Sequence, residues 1–134
     1  MRYYSEQINA DMPGHGKALV VDDNEWFRKL LVKFMKNRRK FQVIEEAANG
    51  HEAVALTQRL HPDVVLMDIS MPGMSGLEAA RQIKTLLPDT KIVFVTIHDE
   101  KMCQTLAGII DVDGFVCKST LKRDLPKILQ QIKK

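Results

Sequence analysis

The sequence predicts an α/β fold: a doubly wound, three-layer sandwich around a five-stranded parallel sheet. Three observations predict it. Short apolar runs alternate with helical patterns along the chain, the order expected of successive strand–helix units. Several runs (18–21, 64–67, 92–95) are apolar at every position, as strands covered on both faces must be. Right-handed crossovers between five such units then place helices on both faces of one sheet.

Each element has its own warrant. Residues 1–16 carry Pro13, Gly14 and Gly16 without periodicity and read as a flexible N-terminal tail before one domain at 17–134. The first strand is 17–21. A helix at about 24–37 follows, with Trp26, Phe27, Leu30, Leu31 and Phe34 on its apolar side. The second strand is 42–47. Asn49-Gly50 makes a turn, and a helix runs on to Leu60, with Ala53, Val54, Ala55 and Leu56 available for burial. His61-Pro62-Asp63 breaks it before the third strand, 64–67. Pro72, Gly73 and Gly76 keep the next segment irregular, and a helix at about 76–87 stops at Pro88. A strand at 91–95, a helix at about 99–109 and a strand at 114–117 complete the sheet. In the last helix Pro126 lacks a donor and suits only a first turn, so Asp124 is the expected N-cap.

The bulk composition bounds the function. With 134 residues, 45% hydrophobic and 28% charged, the chain is one domain with a sizeable core. No apolar stretch reaches the ~18 residues of a membrane span, and the N-terminal residues lack the apolar core of a secretory signal. A cytoplasmic location is expected, with Cys103 and Cys117 as buried thiols. The net charge of +3 comes mostly from Arg28, Lys29, Lys33, Lys36, Arg38, Arg39 and Lys40, read as a solvated helix face. No aromatic interleaving accompanies them, which argues against direct contact with nucleic acid.

The strand ends carry the chemistry. Asp22-Asp23 closes the first run, Asp68 the third, and Thr96 and Lys118 the fourth and fifth. In neighbouring parallel strands these groups meet at the carboxyl edge, where open α/β sheets bind ligands. Three crowded acids call for a cation, and a cation beside a carboxylate is a place to handle phosphate. Taken singly, each has a plainer explanation: Asp22 and Asp23 as acids at a helix N-terminus, Thr96 as a β-former, Lys118 as a solvated strand end, Phe115 as core.

Taken together, the acidic pair, Asp68, Met71-Pro72-Gly73 with Gly76, Thr96, Phe115 and Lys118 resemble the receiver domain of two-component response regulators. The resemblance runs from Lys17 to about Lys133. It implies the flavodoxin-like strand order 2-1-3-4-5. It also implies that Asp68 accepts a phosphoryl group from a histidine kinase phosphohistidine. Mg²⁺ would be held by Asp23, Asp68, the backbone carbonyl of Ser70 and, through water, Asp22. Thr96 and Lys118 would bind phosphoryl oxygens, and Thr96 and Phe115 would form the switch.

Such a domain is a signalling switch that catalyses only its own phosphorylation and autodephosphorylation. The segments at 96–100 and 114–119 look like those of regulators with a helix-turn-helix output domain. They imply a switch that controls an output domain, and with it transcription, or a partner protein, with DNA contact only through an output domain absent from this chain and a homodimer on phosphorylation. The favoured dimer face is formed by the helix at 99–109, the last strand and the last helix, because the basic residues of the first helix repel one another in a symmetric contact. The chain ends where the last receiver helix should end, as a stand-alone or an excised receiver would. Two departures from the family pattern bear on the site. Ile97 stands where a small residue is common and would narrow access to the phosphoryl group. Asp111-Val112 stands where Gly-Ala is frequent, which would strain a left-handed backbone.

Two other functions compete. A phosphohydrolase of the dehalogenase type also uses an aspartate and Mg²⁺, but needs a second acid two residues on, where Ser70 stands. A receiver-shaped scaffold that takes no phosphate is at odds with the complete acidic set, Thr96 and Lys118.

Overall fold

The computed structural model describes residues 16–37, 40–97, 101, 102, 105 and 111–132. The expected tail at 1–16 lies outside them except for Gly16, which belongs to the first strand. Of the helix expected at 99–109, Lys101, Met102 and Thr105 are described and helical. Cys103 lies outside the described residues.

The elements run β1 (Gly16–Val21), α1 (Glu25–Lys36), β2 (Phe41–Ala47), α2 (Gly50–Leu60), β3 (Val64–Met67), α3 (Gly76–Leu86), β4 (Lys91–Thr96), β5 (Gly114–Cys117) and α4 (Leu121–Gln131). The strands pair in parallel in the order 2-1-3-4-5, the flavodoxin-like fold. The order reverses between β1 and β3, which opens a crevice at their carboxyl ends.

Side-chain alternation divides the core in two. Ala18, Val20, Val64, Leu66, Val93, Val95 and Val116 face one side with Phe27, Leu31 and Met35 of α1 and Leu121, Leu125 and Leu129 of α4. Leu19, Val21, Val65, Met67, Ile92 and Phe94 face the other with Ala53 of α2 and Ala79, Ala80 and Ile83 of α3. Both faces of the sheet are therefore covered, as the uninterrupted apolar runs required.

Three helix readings need correction. In α1 the buried stripe is Phe27, Leu31, Val32 and Met35, while Trp26 and Leu30 are exposed. A single helix face can meet the sheet, and spacing of four residues from Phe27 selects it over the neighbouring flank. Asn49 and Gly50 form no separate turn. Asn49 caps α2 by accepting from the Glu52 N–H, Gly50 is the first helical residue, and Ala55 is exposed.

The last helix starts at Leu121, not after Asp124, and Pro126 lies inside it. Burial of Leu121, Leu125 and Leu129 on one stripe outweighs the hydrogen bond that Pro126 cannot donate. Asp124 sits in the first turn and accepts from the Thr120 hydroxyl at 2.7 Å. Lys40 donates to the carbonyls of Leu129 and Gln130, so it supports the far end of this helix and is no member of a solvated basic face.

Candidate functional site

The same alternation that builds the core aims the site. Val20 and Leu66 face α1, so the residues two further on, Asp22 and Asp68, return to that side. Lys118 stands two past Val116 and shares it. Thr96 pairs with Cys117 one step along and is fully buried. Backbone bonds fix the acids at the crevice: the Asp22 N–H donates to Ala47 O and the Asp68 N–H to Val21 O.

One carboxylate oxygen from each of Asp22, Asp23 and Asp68 lies within 4.8 Å of the other two. Asp22 and Asp68 are buried, and Asp23 is exposed at the crevice mouth. The Lys118 ammonium reaches both buried acids, at 2.9 Å from Asp22 Oδ2 and 3.6 Å from Asp68 Oδ2. Asp22 Oδ1 accepts from the Asn24 N–H at 2.8 Å, so both of its oxygens are engaged. Asp68 Oδ1 accepts a long bond, 3.4 Å, from the Ser70 N–H.

Burial raises the Asp68 carboxyl above its ordinary range. Lys118 opposes that shift, Asp22 adds to it, the Ser70 N–H opposes it, and Asp23 adds to it. The net shift is upward because burial of the carboxyl outweighs the help it has from Lys118 and the Ser70 N–H. Such a cluster of oxygen donors could hold a hard divalent cation, with room for water at the Asp23 side.

The structure thus brings together Asp22, Asp23, Asp68 and Lys118, with the Ser70 N–H on Asp68 and Thr96 at the end of the next strand. Phe115 packs against Phe94 with the rings tilted by 50° and their centroids 5.4 Å apart, on the opposite side of the sheet from Lys118. Ile97, next to Thr96, is exposed. The concern about Asp111 falls away, since among the described residues His61 is the one non-glycine at positive φ.

Two neighbours were missed. Arg28, assigned to a solvated face, pairs with Glu46 at 3.0 Å and donates to the Asp22 carbonyl at 2.8 Å. Its side chain is 14% exposed. It braces the acidic loop against β2. Phe27, expected only as core, also lies beneath the Lys118 ammonium, 4.3 Å from its ring centroid. The sequence signal for both was the position one turn into the helix that the acidic pair opens.

A parallel sheet of this order, with its acids at the topological switch point and a lysine across from them, defines the receiver class of α/β domain. Residues 18–130 match the family model described as the response regulator receiver domain. The chain belongs to that family, whose members are signalling switches.

Among relatives, it is 38% identical over 112 residues to the response regulator protein VraR of Staphylococcus aureus, covering 81% of this chain and 52% of that one. It is 34% identical over 116 residues to the response regulator GacA of Pseudomonas aeruginosa, covering 87% and 54%. The chain thus spans about half the length of the curated relatives it matches.

Among solved structures, it resembles a LuxR-family two-component response regulator from Aurantimonas sp. SI85-9A1. That match has a TM-score of 0.80 and 29% identity, over 88% of this chain and 84% of that one. It also resembles the signal receiver domain of the putative response regulator NarL from Mycobacterium tuberculosis, with a TM-score of 0.77 and 28% identity over 88% and 95%. Among the described residues no helix is long and apolar enough to cross a membrane.

Proposed function

We propose that residues 17–134 form the phosphoacceptor receiver of a two-component system. A histidine kinase delivers a phosphoryl group from its phosphohistidine to Asp68. Mg²⁺ is held by Asp23, Asp68 and the Ser70 carbonyl, and through water by Asp22, whose own oxygens are engaged by Asn24 and Lys118. The observation that carries this reading is the Lys118 ammonium shared between Asp22 and Asp68 inside a three-carboxylate cluster.

In the reaction an Asp68 oxygen attacks phosphorus, the phosphorus–nitrogen bond breaks, and its electron pair returns to the kinase imidazole. Bound Mg²⁺ supplies the positive charge that lets a carboxylate approach a charged phosphoryl group. Lys118 meets charge on one phosphoryl oxygen and the Thr96 hydroxyl donates to another.

The product adds about −1.5 to −2 charge and three strong acceptors where one carboxylate stood. Thr96 and Lys118 are drawn toward them, and Phe115 repacks against Phe94 in response. The domain acts as a switch, with catalysis confined to its own phosphorylation and autodephosphorylation. It works in the cytoplasm, forms a homodimer when phosphorylated, and drives an attached output domain that controls transcription. One structural relative is named a DNA-binding response regulator, which supports that last step.

The test is intact-mass measurement after incubation with a small phosphodonor. Wild type should gain one phosphoryl group with Mg²⁺ and none with a chelator, and Asp68→Asn should gain none. Equal labelling of Asp68→Asn would remove the assignment.

A further inference from the structure

We propose that Phe27 is a positioning residue for Lys118, holding the ammonium on its ring face at the distance the phosphoryl group requires. Lys118 hangs from the turn after β5 on a flexible four-carbon stem, and a lysine so placed gives up rotamer freedom when held. Three groups surround its ammonium: Asp22 at 2.9 Å, Asp68 at 3.6 Å and the Phe27 ring centroid at 4.3 Å. The two carboxylates change their charge and partners whenever a cation or phosphoryl group arrives. The ring does not.

Phe27 is buried, 8% exposed, and packed in the core beneath α1. Its place is tied to the acids by two bonds in series: the Asn24 N–H donates to Asp22 Oδ1, and the Phe27 N–H donates to Asn24 Oδ1 at 2.9 Å. One short segment therefore sets both an acid and an aromatic face around the same ammonium. The Lys118 side chain is only 14% exposed, and partial desolvation strengthens attraction to the ring quadrupole. With that face removed, the ammonium would settle on Asp22, the nearer acid, and meet the phosphoryl oxygen less often.

The kinetic part of this inference rests on Asp68 as acceptor; the contact itself does not. Two variants separate positioning from packing. Phe27→Leu removes the ring, and 3,4,5-trifluorophenylalanine at position 27 keeps its shape while draining charge from its face. In metal-free wild type the Lys118 ε-methylene protons should resonate upfield through the ring current, and should lose that shift in Phe27→Leu. Phosphorylation by a small phosphodonor should slow about three- to tenfold in both variants, the range of a partly desolvated cation–π contact. The trifluoro protein should still unfold cooperatively, with its midpoint lowered by about 2–6 °C, the shift expected from losing that contact. Unshifted Lys118 protons in wild type, or wild-type rates in the trifluoro protein, would overturn the proposal. If wild type takes no phosphoryl group, the Asp68 reading fails and the proton shift alone decides the role of Phe27.

Discussion

The Lys118 ammonium lies nearer to Asp22, at 2.9 Å, than to Asp68, at 3.6 Å. In the resting domain it is therefore the counter-ion of both buried acids, Asp22 foremost. Its charge also opposes a second cation among the same carboxylates.

Replacing Lys118 should expose both effects. Lys118→Met leaves buried carboxylates uncompensated and should destabilise the metal-free protein by about 2–3 kcal/mol, below the figure for a fully buried pair because the lysine keeps some solvent. Mg²⁺ should raise the unfolding midpoint of this variant more than that of wild type. Thermal unfolding with and without Mg²⁺ checks both. An equal Mg²⁺ effect in the two proteins would mean that Lys118 and the cation do not compete.

The charge on Asp68 should register as a pH effect. Burial lifts its folded-state carboxyl above the ordinary value of 3.8. Stability from this group is fully present below that value and is lost as pH rises through the raised one. Asp68→Asn removes the burden, so without metal the variant should be more stable than wild type at neutral pH by a few degrees. The gap should close as the pH falls toward the ordinary carboxylate range. Paired melting curves across that window test the sign, and a gap that widens on acidification would contradict it.

Gly76 should tolerate no side chain. A Cβ there would run into the backbone carbonyl of Asp68 and sit 2.8 Å from the Ile69 Cα. Those atoms belong to the segment that holds the acceptor, and they are backbone, so they cannot swing aside. Gly76→Ala should cost about 2–3 kcal/mol in urea unfolding, at the upper end for overpacking. A near-neutral result would show that the loop after β3 moves freely.

Pro126→Ala should stabilise the domain. Pro126 lies inside α4, where proline costs up to about 3 kcal/mol relative to alanine. A gain of about 1–3 kcal/mol is expected, with phosphorylation unchanged. A loss on substitution would mean that the proline ring itself packs usefully.

The strand ends were legible because two rules act together. Uninterrupted apolar runs declared a sheet covered on both faces, and alternation then returned Asp22, Asp68 and Lys118 to one side of it. What escaped depended on tertiary choice. Trp26 and Leu30 offered α1 an apolar flank as plausible as Phe27 and Leu31, and only packing against the sheet decided between them. Arg28 looked solvated until Glu46 of β2 came alongside. Pro126 argued locally for a late helix start, and a leucine stripe with core to bury overrode it. The second role of Phe27 required knowing that Lys118, far along the chain, ends above its ring.

The central claim is that Asp68, among three adjacent acids, forms the acyl phosphate. Borohydride reduces an acyl phosphate of aspartate to homoserine, which marks the modified position in peptide mapping. After Mg²⁺-dependent phosphorylation and reduction, homoserine should appear at position 68 and at neither Asp22 nor Asp23. Homoserine at position 22 or 23, or phosphorylated protein that yields none at 68, would contradict the account.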